Sequence, residues 1–102
     1  MFGVLIHFYV AEEHEEAFME TFDDSMERLE KRDGFIRFHV LTPADEDTDA
    51  HVALTFWENR EDFTAWRNSE SFAESHSGET PEGMFLGPPE LDLYEVEVIH
   101  EA

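Results

Sequence analysis

The run at residues 2–10, FGVLIHFYV, constrains the fold more than any other stretch of this chain. Its β-branched and aromatic content reads as a strand. Phe2, Val4, Ile6, Phe8 and Val10 fall on one side, and Leu5, His7 and Tyr9 on the other. Both sides are largely apolar, and His7 is the one group in the run that titrates near neutral pH. Such a strand has to be covered twice, by helices on one face and by something else on the other.

The remaining segments supply the first cover. Residues 12–32 read as one helix, with Phe18, Phe22, Met26 and Leu29 as its apolar stripe. Glu12, Glu13, Glu15 and Glu16 lie at its positive end and Arg28, Lys31 and Arg32 at its negative end. Gly34 supplies the left-handed stop. A second strand follows over residues 35–41, where Phe35, Arg37, His39 and Leu41 alternate with Ile36, Phe38 and Val40. After an acidic turn at residues 43–50 comes a third strand, 51–58, with Val52, Leu54 and Phe56 opposite Ala53, Thr55 and Trp57. The two make an antiparallel hairpin, on which His39 and His51 are expected as surface or dimer-interface histidines.

Asn59 is placed to cap a helix over residues 60–68 carrying Phe63 and Trp66. A second cap in the 68–71 cluster opens a short helix over 70–76, where Phe72 and His76 share a face. Residues 77–90 form a Gly- and Pro-rich loop with an apolar bump, Met84-Phe85-Leu86. A loop of that length in a compact domain usually covers something. Residues 91–99 close the chain as a fourth strand. The order β-α-β-β-α-β is the split arrangement of an α+β, ferredoxin-like fold with an antiparallel sheet, one domain spanning 1–102. Helices cover only one face of such a sheet, so the apolar second face is expected to meet a second copy in a homodimer.

Charge narrows the partners. Asp and Glu number 26 against 6 Lys plus Arg, a net charge of -20. Phosphate-bearing partners would be repelled, which argues against nucleic acid and anionic membrane. Ten Phe and two Trp in periodic segments argue against disorder. Acid excess on a folded chain is expected for a halophilic protein, hydrated and screened in concentrated salt. No cysteine is present, so disulfide and thiolate chemistry are out. No run approaches the roughly 20 apolar residues of a membrane helix, and no signal-peptide pattern opens the chain, so a cytoplasmic location is expected.

Several motifs together carry a family resemblance. They are the strand Trp57, the acidic helix start at 58–62, the Phe63-Thr64-Ala65-Trp66 run, Ser69 to Phe72, His76, and Asp33-Gly34-Phe35 opening the second strand. With these the chain resembles the antibiotic biosynthesis monooxygenase (ABM) superfamily of dimeric α/β barrels over nearly its whole length. Trp66 followed ten residues later by His76 is similar to the heme-degrading branch. The resemblance implies that heme is both cofactor and substrate, that His76 ligates the iron, and that Trp66 helps to bend the porphyrin. It also implies an external electron donor, since no dinucleotide fingerprint is present. The branch places an Asn on the first strand, and here that stretch reads Ile6-His7-Phe8.

The candidate site is thus Trp66 and His7 as catalytic groups, with His76, Trp66, Phe63, Phe72, Phe22 and Arg67 holding the cofactor. Each has a plainer reading: packing for Phe22, Phe63, Trp66 and His76, a buried neutral imidazole for His7, a surface ion pair for Arg67. Two other functions fit the same residues. One is a cofactor-independent oxygenase acting on a quinol-like aromatic, with His7 or His76 as base. The other is a non-catalytic heme-binding dimer, which bis-His ligation would favour.

Overall fold

The computed structural model describes residues 1–69 and 83–102. The short helix expected over 70–76, and with it Phe72 and His76, lies outside the described residues. Four strands form one antiparallel sheet: β1 (Phe2–Phe8), β2 (Phe35–Leu41), β3 (His51–Trp57) and β4 (Glu90–Glu95), in the order β2-β3-β1-β4. The N-terminal β1 lies inside the sheet, flanked by β3 and by β4, as its apolar composition requires. Among the described residues three α-helices, α1 (Glu15–Glu20), α2 (Phe22–Glu30) and α3 (Arg60–Arg67), cover one face. This is the ferredoxin-like arrangement read from the sequence.

Three local departures have physical causes. The helix expected over 12–32 is a 3-10 turn at Glu12–His14 followed by α1 and α2, which break at Thr21. The Thr21 hydroxyl donates to the Phe18 carbonyl at 2.7 Å, and the Thr21 N–H bonds the same carbonyl at 3.1 Å. A threonine that takes the i−3 carbonyl tightens the helix at that point, yet Phe18 and Phe22 still share one face, with ring centroids 5.0 Å apart. Strand β2 carries a bulge between Phe35 and Arg37. Phe35 therefore packs with Phe38 towards the helices instead of following Arg37, His39 and Leu41 to the other face. Finally, β4 ends at Glu95, and Val96 adds one further bond, to the Met1 carbonyl at 2.9 Å.

Side-chain alternation gives the sheet two unlike faces. The helix face carries Phe2, Val4 and Ile6 of β1 against Trp57, Thr55 and Ala53 of β3. Here the core forms in two clusters. One joins Phe2, Val4, Leu29, Trp57, Phe63 and Trp66; the other joins Val10, Phe18, Phe22, Ala53 and Met84. Ile6 and Phe38 pack against both.

The opposite face presents Leu5, Leu54, Phe56, Leu41 and Tyr94, half-buried or exposed in this chain alone. Arg37 lies over the Phe56 ring at 4.6 Å and reaches Glu101 of the C-terminal tail at 3.7 Å. The loop after residue 82 is tied back to the end of β1. The Ala11 N–H donates to the Met84 carbonyl and the Leu86 N–H to the Tyr9 carbonyl, at 2.8 and 2.7 Å. Met84 is thereby buried and Phe85 half-covered, so the apolar bump does serve as a cover. Among the described residues no helix is long and apolar enough to cross a membrane.

Candidate functional site

Where the two core clusters meet, packing is incomplete. A cavity of about 230 Å³ lies between the helices and the sheet. Ile6 and Phe8 of β1, Phe38 of β2, and Ala53 and Thr55 of β3 form its floor. Phe18, Phe22 and Leu29 line it from α1 and α2, Trp66 from α3, and Met84 and Phe85 from the loop. The rings brace one another: Phe8 sits 5.2 Å from Phe18 and 6.1 Å from Phe85, and Phe22 5.6 Å from Phe38. A hollow with flat apolar walls suits a large planar ligand held by burial of its faces. Residues 66 and 84, on either side of the undescribed segment, both line the cavity.

Three hydroxyls reach the cavity, and their hydrogen bonds differ. Thr21 donates to the Phe18 carbonyl as above, and Ser25 donates to the Thr21 carbonyl at 3.4 Å. Thr55, only 4% exposed, accepts the indole N–H of Trp57 at 3.1 Å. A second hollow, of about 200 Å³, is lined by Lys31, Arg32, Asp33, Asp62 and Ala65. Its cations and carboxylates offset each other, and it offers no apolar wall for a planar ligand.

Of the expected site residues, Trp66 and Phe22 come together at the cavity. Trp66 also stacks in the core, 5.7 Å from Trp57 and 6.2 Å from Phe63, so it is both a packing residue and a wall. Phe63, one helical turn earlier, faces Phe2 and Trp57 and does not line the cavity. Arg67 is exposed at the end of α3.

His7 requires a correction. Alternation along β1 sends Ile6 and Phe8 to the cavity and His7 to the opposite face, where its Nε2 lies 3.0 Å from Asp92 Oδ2 on β4. No irregularity in β1 shifts that register. His51 is the reverse case. Expected at the surface or an interface, it is 3% exposed, with its ring 5.4 Å from Phe18 and its Nε2 4.0 Å from Glu15 Oε1. Its Nδ1 is buried and has no hydrogen-bond partner among the described residues. The β3 alternation that buries Ala53, Thr55 and Trp57 buries His51 as well, and the polar turn before it masked that continuity.

Missed by sequence reasoning were Thr55, Phe38 and Met84. A lone hydroxyl between Ala53 and Trp57 on a buried strand face was the available signal for Thr55. Among the described residues no three side chains of metal-ligating type cluster together.

Comparison with known proteins gives this geometry a context. Residues 1–78 match the protein family described as antibiotic biosynthesis monooxygenase. The chain is 36% identical over 77 residues to a heme-degrading monooxygenase of Shouchella clausii, covering 74% of this chain and 72% of the relative. A heme-degrading monooxygenase of Halalkalibacterium halodurans is 32% identical over 74 residues, 71% of this chain and 62% of that relative. Among solved structures, the heme-degrader MhuD of Mycobacterium tuberculosis with two hemes bound superposes with a TM-score of 0.81 at 23% identity. That match covers 99% of this chain and 100% of the other. A mutant of MhuD carrying two manganese protoporphyrins gives 0.84 at 22% identity, with full coverage of both chains.

Proposed function

From the premise that this chain belongs to the antibiotic biosynthesis monooxygenase family, we propose that it is a heme-degrading monooxygenase acting on heme held in the cavity between helices and sheet. The observation that carries the reading is the aromatic-walled cavity with Trp66 in its lining, in a chain 36% identical over 77 residues to a heme-degrading relative. Its lining matches the chemistry of a porphyrin, whose broad faces are apolar.

Bound heme supplies the redox chemistry and is itself the molecule consumed. The protein's own residues supply shape, dryness and anchorage. Phe8, Phe18, Phe22, Phe38 and Phe85 exclude water from the ring faces. Trp66, backed by Trp57 and Phe63 and therefore unable to retreat, presses on the ligand from α3. The cavity falls below the roughly 300–1,000 Å³ of typical ligand sites, so its described walls enclose only part of a macrocycle. We assign His76 as iron ligand, Phe72 as an apolar contact and Arg67 as a cation for the ring's carboxylates. Electrons come from an external donor.

A non-catalytic bis-His carrier loses support because His7, turned away from the cavity and paired with Asp92, is unavailable as second ligand; a cofactor-independent oxygenase would be left with His76 alone as its base. We further propose that the apolar face of the sheet, with Leu5, Leu54 and Phe56, is buried against a second copy in a homodimer, and that the protein works in a salt-rich cytoplasm. Hemin titrated into the protein in molar salt tests the ligand assignment. A saturating Soret band that His76→Ala shifts or abolishes is expected. No Soret change with folded wild-type protein defeats the reading.

A further inference from the structure

Among the described residues, one hydroxyl at the cavity has a proton with nothing to donate it to. Thr55 stands in the middle of β3 on the helix face, opposite Val4 of β1 and Phe38 of β2. Its oxygen accepts the Trp57 indole N–H at 3.1 Å. A hydroxyl has one proton to give besides the lone pairs it offers, and among the described residues this proton has no acceptor. The other hydroxyls at the cavity are engaged with the Phe18 and Thr21 carbonyls. Satisfying Trp57 explains why an acceptor sits at position 55, but not why a buried donor is left over. A buried donor without a partner is unfavourable, and Thr55 is buried and lines the cavity.

We propose that the Thr55 hydroxyl donates a hydrogen bond to the small, uncharged, oxygen-bearing co-substrate that shares the cavity with the large planar ligand. The inference rests on the monooxygenase reading, since that class of reaction takes dioxygen. A ring carboxylate is the weaker candidate as acceptor. The side chains flanking Thr55 here are Val4, Phe38 and Ala53, and an ionised carboxylate among them would be stripped of water with no cation beside it. A neutral acceptor carries no such penalty. The Trp57 N–H sharpens the arrangement. By occupying a lone pair it turns the Thr55 proton away from the indole, and it polarises the hydroxyl towards stronger donation. Trp57 is thus a positioning residue, fully buried and fixed between Phe35 and Trp66.

The test uses carbon monoxide as a stable stand-in for the co-substrate. The carbonyl stretch of the ferrous heme–CO complex is read by infrared spectroscopy in wild type, Thr55→Ser, Thr55→Val and Thr55→Ala. A donor at the oxygen end lowers that frequency. Wild type and Thr55→Ser should share a band, and Thr55→Val should shift it to higher wavenumber. Thr55→Ala should show the same shift, and serves if the valine variant fails to fold. Melting temperature is not the readout, because Thr55→Val strands the Trp57 N–H on any account.

Identical bands in all folded, heme-loaded variants overturn the inference and leave the heme reading intact. Wild type that binds no hemin overturns both. An unmoved band combined with a loss of affinity for hemin, but not for hemin dimethyl ester, overturns it in favour of a carboxylate acceptor.

Discussion

Gly34 lies against the first turn of α3, and replacing it with alanine should do two distinct kinds of damage. Its φ is +79°, where an L side chain costs about 1–2 kcal/mol. The added methyl would also run into the Asp62 side chain at Cβ, Cγ and Oδ2. The backbone has little freedom to move aside, because the Gly34 carbonyl accepts the Glu58 N–H at 2.7 Å. Overpacking of this kind costs about 1–3 kcal/mol, so Gly34→Ala should lose about 2–5 kcal/mol in all. That is a large share of the roughly 5–15 kcal/mol holding a domain together.

Asp62→Ala alone should cost about 0.3–1 kcal/mol, from the acid lost in the first turn of α3. It removes two of the three clashing atoms. The double mutant should therefore be more stable than the sum of the singles by about 1–2 kcal/mol. Urea unfolding at fixed salt, followed by the fluorescence of Trp57 and Trp66, measures each value. Since α3 carries Trp66, hemin affinity should fall in Gly34→Ala and partly recover in the double mutant. Strict additivity, or a Gly34→Ala loss under about 0.5 kcal/mol, would refute the reasoning.

His51→Phe replaces a buried ring whose Nδ1 lacks a partner with an apolar one beside Phe18. It should leave stability unchanged or raise it, and a loss above about 1 kcal/mol in thermal unfolding would mean that the imidazole has a partner the fold depends on. With a net charge of -20, raising KCl from about 0.1 to 1 M shortens the screening length from roughly 10 to 3 Å, so the melting temperature should climb steeply; a flat profile removes the high-salt proposal. Tyr9 donates to Glu90 at 2.7 Å, and that bond, with burial and nearby carboxylates, raises its pKa above the usual 10.0. A raised folded pKa means stability present below pH 10 and lost above it. Ultraviolet titration should show one tyrosine ionising late, and Tyr9→Phe should remove that phase.

Much of the fold was legible because burial here follows strict alternation. The helix-facing residues of β1 and β3 were separable on paper, as were the hairpin and the Asn59 cap. Two of the misses share a cause, which is a single residue out of step with its period. The bulge at Ile36 moved Phe35 across the sheet, and the Thr21 hydroxyl split a helix whose apolar stripe ran on unbroken. His51 was placed on the third strand as a surface or interface residue, although its pairing with Phe8 continues the buried side of β3. For the site, Trp66 came from the family resemblance and Phe22 from the apolar stripe of the first helix, and both line the cavity. Phe63 was placed there too, yet a helix turns only part of its apolar face to any one hollow. The unanchored Thr55 proton was invisible, since it depends on where the Trp57 N–H points.

The central claim is that this chain destroys the heme it holds. Its most direct test is to load wild-type protein with hemin in molar salt, add ascorbate and catalase in air, and follow the Soret band together with released iron. The account predicts that the band collapses while iron appears in stoichiometric amount, and that Trp66→Ala bleaches far more slowly. Hemin that stays bound with an undiminished Soret band and no free iron would contradict it.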